Sequence, residues 1–410
     1  MPMGRFTSLL LVVCCLLLLP AGCGEGPEPS HIPPGTPIVR VLIVENRPQI
    51  ELGASESPII HVGNGPAQRM NFPSSGSVPV TVTSSGWTIG TLRIPRAELT
   101  IEPAVDGSVR LNEQPYHGRY RLVPLSNDHF EVINEVNLEE YLKGVLAREM
   151  FSSWHEEAYK AQAIVARTYA LYEARTSGLT REFDLYSDQR SQVYGGIAAE
   201  TSRSRAAVDA TMGICLGYGP PGHERIFKAY FSSCCGGITQ SAADAFGDPA
   251  TPPLSDQLIG PRCADSPHFN WGPVVIAKNE LGRRIRAWGT QHNQPERGIG
   301  DVSRVDIQFE NHWGRPVRFV VTDSHGVRYS LAGEDFRQAF NTESGSGPTI
   351  YSSFFKPVNE ISNIRLIDGH GFGHGVGLCQ WCAEREATDG VRHEVIATTA
   401  FPGSRLVRAY

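Results

Sequence analysis

One carboxylate in the sequence lies where a helix should present an apolar residue. Glu149 follows Leu138 by eleven residues, which is close to three helical turns at 3.6 residues per turn. It therefore shares a helical face with apolar residues that should be buried: Leu138, Tyr141, Leu142 and Val145. Burial removes water from a carboxylate and raises its pKa, which suits a general acid near neutral pH. The other interpretation is a helix-end glutamate that pairs with Arg148 or Arg167.

Six cysteines follow residue 23, and their number and spacing allow three states. They are Cys215, Cys234, Cys235, Cys263, Cys379 and Cys382. An even number favours disulfides if the chain is exported. Zinc is the second state, because Cys379 and Cys382 form a Cys-x-x-Cys motif near a helix start. With Cys263 and either Cys234 or Cys235 they would supply four sulfur ligands. Free thiols are the third state, and all three stay open at this point.

Glycines alternate with other residues from position 369 to position 377. Strict alternation has the period of a β-strand, so we expect all five glycines to face one way. His370, Phe372, His374, Val376 and Leu378 would then face the other way. A glycine face lets a ligand or another part of the chain approach the backbone closely. The pattern therefore indicates either a binding wall or a packing device under a neighbouring helix.

The elements that must position these residues change in character along the chain. From residue 38 to about residue 136 the pattern is β, with runs rich in β-branched residues at 78–83, 88–94 and 130–136. Asn137 and Glu140 have the spacing of a helix-capping box, and Ser153 and Glu156 repeat it. The composition predicts helices from residue 137, at 158–174 with a stop at Gly178, at 201–212, and finally at 379–388, ending at Gly390.

The amino terminus resembles an export signal. Residues 9–19 form an apolar run after Arg5, too short for a mature membrane span, and Cys23 follows Pro20, Ala21 and Gly22. The pattern resembles a bacterial lipoprotein signal with cleavage before Cys23 and lipid on its sulfur. Residues 1–22 are thus expected to be removed, and the Gly- and Pro-rich residues 23–37 to form a tether. We expect an extracytoplasmic protein held to the cell envelope by a lipid anchor.

Composition and order of elements predict an α+β fold. The chain has 410 residues, 40% hydrophobic and 20% charged, enough for one large core or two modest ones. A β-rich lead-in domain should cover residues 38–125. A mixed α+β domain with long loops should cover 126–410, with insertions at 252–272 and 291–316. The formal net charge of −6 argues against a nucleic-acid partner.

Several sequence blocks together resemble the SpoIID/LytB family, the stage II sporulation protein D and amidase-enhancer family. They appear in family order at 137–150, 160–163, 166–170, 192–196, 229–233, 236–239, 371–381 and 401–403. The resemblance implies that Glu149 is the catalytic residue of a peptidoglycan lytic transglycosylase. The chain departs from the family's Glu-Met-Pro motif at Phe151, where the family usually has proline. A non-catalytic amidase enhancer or glycan-binding protein is the other function that the family allows.

The resemblance also implies a sugar groove and the residues that line it. The alternating-glycine segment would form one wall, with Glu149 at the floor of the cleft. The implied substrate contacts are Gln162, Arg167, Tyr194, Tyr230, Ser233, His374 and Gln380. Arg167 could instead hold one helix to its neighbour. The expected partners are peptidoglycan glycan strands and a cell-wall amidase.

No cofactor is required for lytic cleavage, although the cysteines leave zinc open. Some family members hold zinc with one histidine and two cysteines downstream of the first helices. That site is not carried over, because no His or Cys lies between His155 and Cys215.

Overall fold

Most of residues 38–137 forms two β-sheets in the computed structural model, which describes residues 35–72, 76–105, 107–176 and 181–410. The strands are β1 (Ile38–Arg47), β2 (Gln49–Ala54), β3 (Ile59–Val62), β4 (Gln68–Arg69), β5 (Ser77–Thr83), β6 (Gly86–Ile89), β7 (Leu92–Ile94), β8 (Leu99–Glu102), β9 (Val109–Leu111), β10 (Gln114–Pro115), β11 (Arg119–Pro124), β12 (Phe130–Asn137) and β13 (Leu185–Tyr186). One sheet has the order β13-β1-β12-β11-β8-β3-β4, and the other has the order β10-β9-β2-β5-β6-β7. All described pairs in the two sheets are antiparallel except β1 with β13.

Apolar residues of both sheets form one core, which includes Trp87, Tyr120 and Phe130. Their alternation with exposed positions gives the period of two that the sequence predicted for this region. Residue 125, where the sequence places a domain boundary, lies between β11 and β12. These two strands pair with each other, and β12 also pairs with β1, so the two predicted parts share one sheet.

Four helices follow and build a second core. They are α1 (Leu138–Glu149), α2 (Glu156–Thr176), α3 (Gly196–Ala199) and α4 (Ser202–Ala210). Asn137 caps α1 as predicted, because its side chain accepts a hydrogen bond from the Glu139 amide. The Glu140 side chain instead bonds to Lys143. Val39 and Val41 of β1 pack into the helical core, so the seven-stranded sheet supports both cores.

The rest of the chain contains more regular structure than the sequence predicted. Its elements are β14 (Ile214–Tyr218), β15 (Arg225–Ile226), β16 (Phe231–Ser232), α5 (Ala242–Phe246), β17 (Asn270–Trp271), β18 (Val274–Ala277), α6 (Lys278–Gln291), β19 (Val302–Glu310), β20 (Pro316–Asp323), β21 (Arg328–Ala332), α7 (Gly333–Asn341), β22 (Lys356–Asn359), β23 (Asn363–Ile367), β24 (Gly369–His370), β25 (Leu378–Cys379), α8 (Gln380–Thr388), α9 (His393–Ala400) and β26 (Arg405–Arg408). Short 3₁₀ turns cover Pro252–Leu254, Pro261–Cys263 and Pro295–Gly298. A third core forms between α6, α7 and the strands from β18 to β23.

Residues 291–316 contain the strand β19, whereas 252–272 is mostly irregular, and both insertions stay predictions. Two features hide β19 and the preceding helix α6 in the sequence. Register shifts interrupt the pairing of β19 with β20 and break the period of two. Gly282 and Gly289 weaken the helical pattern of α6, but they let residues 296–301 approach the helix, since a Cβ at Gly282 would lie 2.5 Å from the Gly300 carbonyl oxygen. The helix at 379–388 exists as α8, but α9 follows it.

The alternating-glycine segment is not the strand that its period predicted. Only β24 and β25 at its ends are extended. Gly371, Gly373, Gly375 and Gly377 have φ values of +79°, +96°, +69° and +68°. These values belong to the left-handed region, which glycine adopts without steric cost. The segment packs against residues 230–236, so that a Cβ at Gly371 would lie 2.6 Å from the Cys234 carbonyl oxygen. Its glycines therefore make room for the protein's own chain, and the expected glycine wall of a sugar groove is corrected.

The α+β class and the β-rich amino-terminal region are confirmed. No helix within the described ranges is long and apolar enough to cross a membrane. The predicted signal at 1–22, the lipidated Cys23, the tether up to residue 34 and the helix stop at Gly178 lie outside the described residues.

Candidate functional site

Helix α1 ends at Glu149, and the buried face that precedes it sets the direction of this side chain. Leu138, Tyr141, Leu142 and Val145 are completely buried. The Met150 amide donates to the Leu146 carbonyl at 3.0 Å, which closes the last turn. Glu149 itself is half-buried. The predicted face is confirmed, and it carries the carboxylate to the edge of the helical core.

A backbone amide from a distant loop holds the Glu149 carboxylate. Val193 N donates to Glu149 Oε1 at 2.9 Å. The loop is fixed by its neighbour Gln192, which is fully buried and donates through Nε2 to the Ala166 carbonyl at 3.2 Å. Tyr141 Oη donates to Gln192 Oε1 at 3.1 Å. The face of α1 thus positions both the carboxylate and the amide that binds it.

Burial raises the pKa of Glu149 above its ordinary value. The Val193 amide and the Gln380 side chain act in the opposite direction, because both favour the ionised form. Gln380 lies close to the carboxylate, although its buried Nε2 makes no hydrogen bond of normal geometry within the described ranges. Among the described residues Glu149 forms no ion pair, so the sequence alternative of a partner at Arg148 or Arg167 is wrong.

Three aromatic rings lie beside this corner, and sequence reasoning missed them. Phe151, two residues after Glu149, is 58% exposed. Its ring centroid lies 5.1 Å from that of Trp154 and 6.0 Å from that of Trp381, which directly follows Gln380. Trp154 and Trp381 meet edge to face at 5.0 Å. The available signal was the substitution of phenylalanine at the motif position where proline is usual.

Sequence comparison with known proteins places this chain in a family. A sequence profile described as Stage II sporulation protein (SpoIID) matches residues 126–218, which contain Glu149, Gln192 and Val193. An uncharacterized protein of Brachyspira hyodysenteriae is 31% identical over 274 residues, covering 67% of this chain and 67% of that protein. The chain belongs to the SpoIID family. The predicted recognition is therefore confirmed.

Named relatives of this SpoIID protein are more distant. The amidase enhancer of Bacillus subtilis is 24% identical over 299 residues, covering 65% of this chain but 40% of the relative. Stage II sporulation protein D of the same organism is 24% identical over 331 residues, covering 77% of this chain and 85% of the relative. The SpoIID chain thus spans less than half the length of the amidase enhancer that it matches.

Arg167 does not face the Glu149 corner of the SpoIID protein. It is completely buried, and its Nε and Nη2 donate to the two carboxylate oxygens of Glu139 at 3.0 and 2.7 Å. Nη1 donates to the Ile214 carbonyl at 3.1 Å. A guanidinium with these internal partners and no exposed surface cannot contact a glycan. The expected sugar contact is corrected to the other interpretation, in which Arg167 holds α2 to α1.

Gln162 and Tyr194 are also buried rather than presented to solvent. Gln162 is completely buried, and neither of its amide atoms has a hydrogen-bond partner among the described residues. Tyr194 Oη donates to Asn134 Oδ1 at 3.2 Å, and its ring packs against Tyr141 and Tyr116. Tyr194 therefore supports the loop that carries Val193, and a direct sugar contact would require both residues to become exposed.

Tyr230 and His374 form a second group of predicted residues. Tyr230 Oη donates to Asp248 Oδ2 at 2.7 Å, and its ring stacks on Phe246 with a centroid distance of 4.6 Å. The His374 ring meets both aromatic rings edge to face. Burial lowers the pKa of His374 to about 4, and its Nδ1 accepts a hydrogen bond from the Val376 amide at 3.0 Å. His374 is thus neutral at pH 7, and none of these contacts involves Glu149.

Ser233 and Gln380 connect the glycine segment to the Glu149 corner. The Ser233 carbonyl accepts a hydrogen bond from the Trp381 amide at 3.1 Å, which fixes the start of α8. Ser233 is half-buried, whereas Gln380 is 5% exposed and is the predicted contact residue that lies beside Glu149. The structure therefore brings together Glu149, Gln380 and the backbone of Ser233.

The five cysteines singled out by the sequence form one buried cluster near the start of α8. Cys234, Cys235, Cys263, Cys379 and Cys382 pack together with Trp381 at their edge. None of these five forms a disulfide within the described residues, and neither does Cys215, which belongs to the helical core. The Sγ atoms of four of them, Cys235, Cys263, Cys379 and Cys382, lie within 4.8 Å of one another. These four side chains could hold a metal ion.

Two open clefts of the described surface lie near the candidate site but do not include Glu149. One of about 630 Å³ is bordered by Arg262, Arg385 and Glu386. The other, of about 550 Å³, is bordered by Ser153, His155 and residues of α2 and α4. The Glu149 carboxylate occupies a half-buried corner near the exposed ring of Phe151, and its place at the floor of a sugar cleft stays a prediction.

Proposed function

We propose that this SpoIID protein is a peptidoglycan lytic transglycosylase with Glu149 as its single acid/base. The observation that carries the proposal is a half-buried carboxylate with a raised pKa, one backbone donor and no ion pair to any described residue. Such a group keeps its proton closer to neutral pH than a solvated glutamate and can release it to a substrate oxygen. Membership of the SpoIID family supports a role at the cell wall.

The reaction would break the bond between N-acetylmuramic acid C1 and the oxygen of the following N-acetylglucosamine. Protonated Glu149 gives its proton to that oxygen as the bond breaks. The muramic acid C6 hydroxyl attacks C1, and the Glu149 carboxylate takes the hydroxyl proton. A 1,6-anhydro end forms, no water is consumed, and Glu149 regains the proton that it gave. Because the nucleophile belongs to the substrate, no second carboxylate is needed.

The surroundings of Glu149 suit both halves of this proton exchange. Burial favours the protonated state before the first transfer, and the Val193 amide stabilises the carboxylate after it. The exposed face of Phe151 offers an apolar surface against which a sugar ring can pack, with Trp381 behind it. The Gln380 side chain lies beside the carboxylate and favours its ionised form, although a direct contact with the glycan would require this residue to become exposed. We expect denuded strands to be preferred, as the resemblance to the family implies.

Binding without turnover is the second candidate, favoured by the similarity to a protein named amidase enhancer. The same corner would then hold a glycan strand for a partner amidase. The two functions share the binding residues and differ only in whether the proton of Glu149 is transferred.

Digestion of purified glycan strands in oxygen-18 water tests the proposal. Intact and denuded strands are incubated with the purified protein, and the products are identified by mass spectrometry. We expect anhydro-muramic ends without oxygen-18. Reducing ends labelled with oxygen-18 would indicate a hydrolase, and strand binding without products would favour the amidase-enhancer function.

We also propose that the protein is anchored in the cell envelope through lipid on Cys23. The apolar run at 9–19 followed by Cys23 supports this proposal. Growth with a radioactive fatty acid should label the wild-type chain but not a Cys23→Ala variant. A wild-type chain without label would exclude the lipid anchor while leaving export open.

A further inference from the structure

The cysteine cluster joins three separate parts of the chain next to the candidate active site. Cys235 follows β16, Cys263 ends the 3₁₀ turn at Pro261–Cys263, and Cys379 and Cys382 flank the start of α8. All four side chains are buried. Their Sγ atoms lie within 4.8 Å of one another, which brings four sulfur atoms around one point.

The measured distances match a metal site better than paired disulfides. Cys235 Sγ lies 3.6 Å from Cys263 Sγ and 4.0 Å from Cys382 Sγ. Sulfur atoms in a disulfide are about 2.0 Å apart. In a tetrahedral site with zinc–sulfur bonds of about 2.3 Å, the ligand sulfurs are about 3.8 Å apart. The Cys235 amide also donates to Cys379 Sγ at 3.3 Å, an arrangement that stabilises a thiolate.

A buried cation beside the cluster provides an independent observation. Arg315 is 1% exposed and forms no ion pair among the described residues. Its Nη1 donates to the Cys235 carbonyl at 3.1 Å, and its Nε has no hydrogen-bond partner there. The buried carboxylate of Glu334 attracts this guanidinium without forming a salt bridge to it, and desolvation still lowers the pKa of Arg315. Zn²⁺ with four thiolates carries a net charge of −2 and would supply a second anion.

We propose that Cys235, Cys263, Cys379 and Cys382 bind one structural Zn²⁺ ion. Tetrahedral coordination by four sulfurs is typical of zinc, and all four ligand positions are filled by the protein, as in structural sites. The ion would replace the thiol protons and tie residues 235, 263 and 379–382 together. An iron–sulfur cluster would need more room between the sulfurs, because it places several atoms inside the cage.

The site has a consequence for the Glu149 corner. Two of its ligands bracket Gln380 and Trp381, which lie beside Glu149 and Phe151 respectively. Trp381 also packs against the cysteine cluster. The ion would therefore act as a positioning element for these two residues, and it has no place in the chemical step.

Metal analysis of the full-length protein tests the site without any measurement of activity. The protein is expressed in zinc-supplemented medium, and its metal content is measured by mass spectrometry. We expect one zinc per wild-type chain and less than about a tenth of that in Cys263→Ser. Cys234→Ser is the matched control, because Cys234 is equally buried but does not belong to the four; it should keep its zinc.

Two measurements on the wild-type chain keep the test valid if Cys263→Ser fails to fold. Replacement of zinc by Co²⁺ should give the visible bands of a tetrahedral cobalt thiolate, and a strong chelator should lower the Tm. The proposal is overturned if the four cysteines are found as two disulfides by native mass spectrometry. It is equally overturned if the chain binds iron instead, or if Cys234→Ser loses zinc while Cys263→Ser retains it.

Discussion

Helix α1 carries a glutamate near each end, one completely buried and one half-buried, and the two have different surroundings. Glu139, in the first turn, is completely buried and accepts two hydrogen bonds from Arg167. It also accepts from the Gly213 amide at 3.0 Å and from Tyr410 Oη at 2.5 Å. Four donors thus hydrogen-bond to the Glu139 carboxylate and leave no room for a substrate. The Arg167 cation balances its negative charge.

Glu149, at the other end of the same helix, has one backbone donor and a raised pKa. Part of Glu149 is exposed to solvent, and the exposed ring of Phe151 follows two residues later. The comparison shows that burial alone does not define the surroundings of a carboxylate. The number of fixed donors also differs, and each occupied lone pair leaves less space for an incoming oxygen.

The largest effect should be on stability, and it should come from the Glu139 end of α1. Arg167→Met should lower the free energy of unfolding by about 3–5 kcal/mol, because it leaves the Glu139 carboxylate buried without its cation. Arg148→Met is the control, since Arg148 is exposed and should change stability by less than about 0.5 kcal/mol. Urea unfolding measures both. Equal stabilities of the two variants would contradict the structural role of Arg167.

A smaller effect on binding should come from the ring beside Glu149. Phe151→Ala should weaken binding of denuded glycan strands by about 2- to 10-fold, the value of one lost ring contact of about 0.5–1.5 kcal/mol. Phe309→Ala is the matched control, because Phe309 has the same 58% exposure but lies on β19. Fluorescence titration measures both affinities. Equal losses for the two variants would remove Phe151 from the site.

The smallest effect should appear in the pH dependence of stability. The folded-state pKa of Glu149 is raised above its unfolded value, so folding binds a proton in the range between the two. The stability that this carboxyl contributes is complete below the unfolded pKa and is lost as pH rises through the folded pKa. Glu149→Gln removes this loss, so the variant should gain Tm relative to wild type as pH rises. A Tm difference that stays constant with pH would contradict the raised pKa.

The sequence predicted local structure well where one period ran without interruption. The face of α1 and the position of Glu149 followed from helical spacing alone, and the Asn137 cap from residue type. The sequence allowed Arg167 to hold one helix to its neighbour but did not identify its partner Glu139, because the two residues are 28 positions apart and meet only when α1 packs on α2. The cysteine cluster was anticipated as a ligand set, but its choice of Cys235 over Cys234 depends on tertiary geometry.

The prediction of a strand at the alternating glycines was wrong for a physical reason. Alternating glycines satisfy the period of a strand and also permit positive φ values, and the sequence does not reveal which conformation the surroundings require. The same holds for Gly282 and Gly289, which weaken a helix by propensity yet are needed for close packing against residues 296–301. A glycine indicates that another group can approach the backbone closely. Only the fold shows which group that is.

Glu149→Gln tests the account most directly, since the amide keeps the shape and the Val193 contact but cannot exchange a proton. Formation of anhydro-muramic ends and binding of denuded strands are measured side by side for wild type, Glu149→Gln and the exposed control Glu156→Gln. If Glu149 is the acid/base, Glu149→Gln should form anhydro-muramic ends about 10²- to 10⁴-fold more slowly than wild type and should bind denuded strands equally well. Glu156→Gln should match wild type in both measurements. Anhydro-sugar release by Glu149→Gln at the wild-type rate would contradict this role of Glu149.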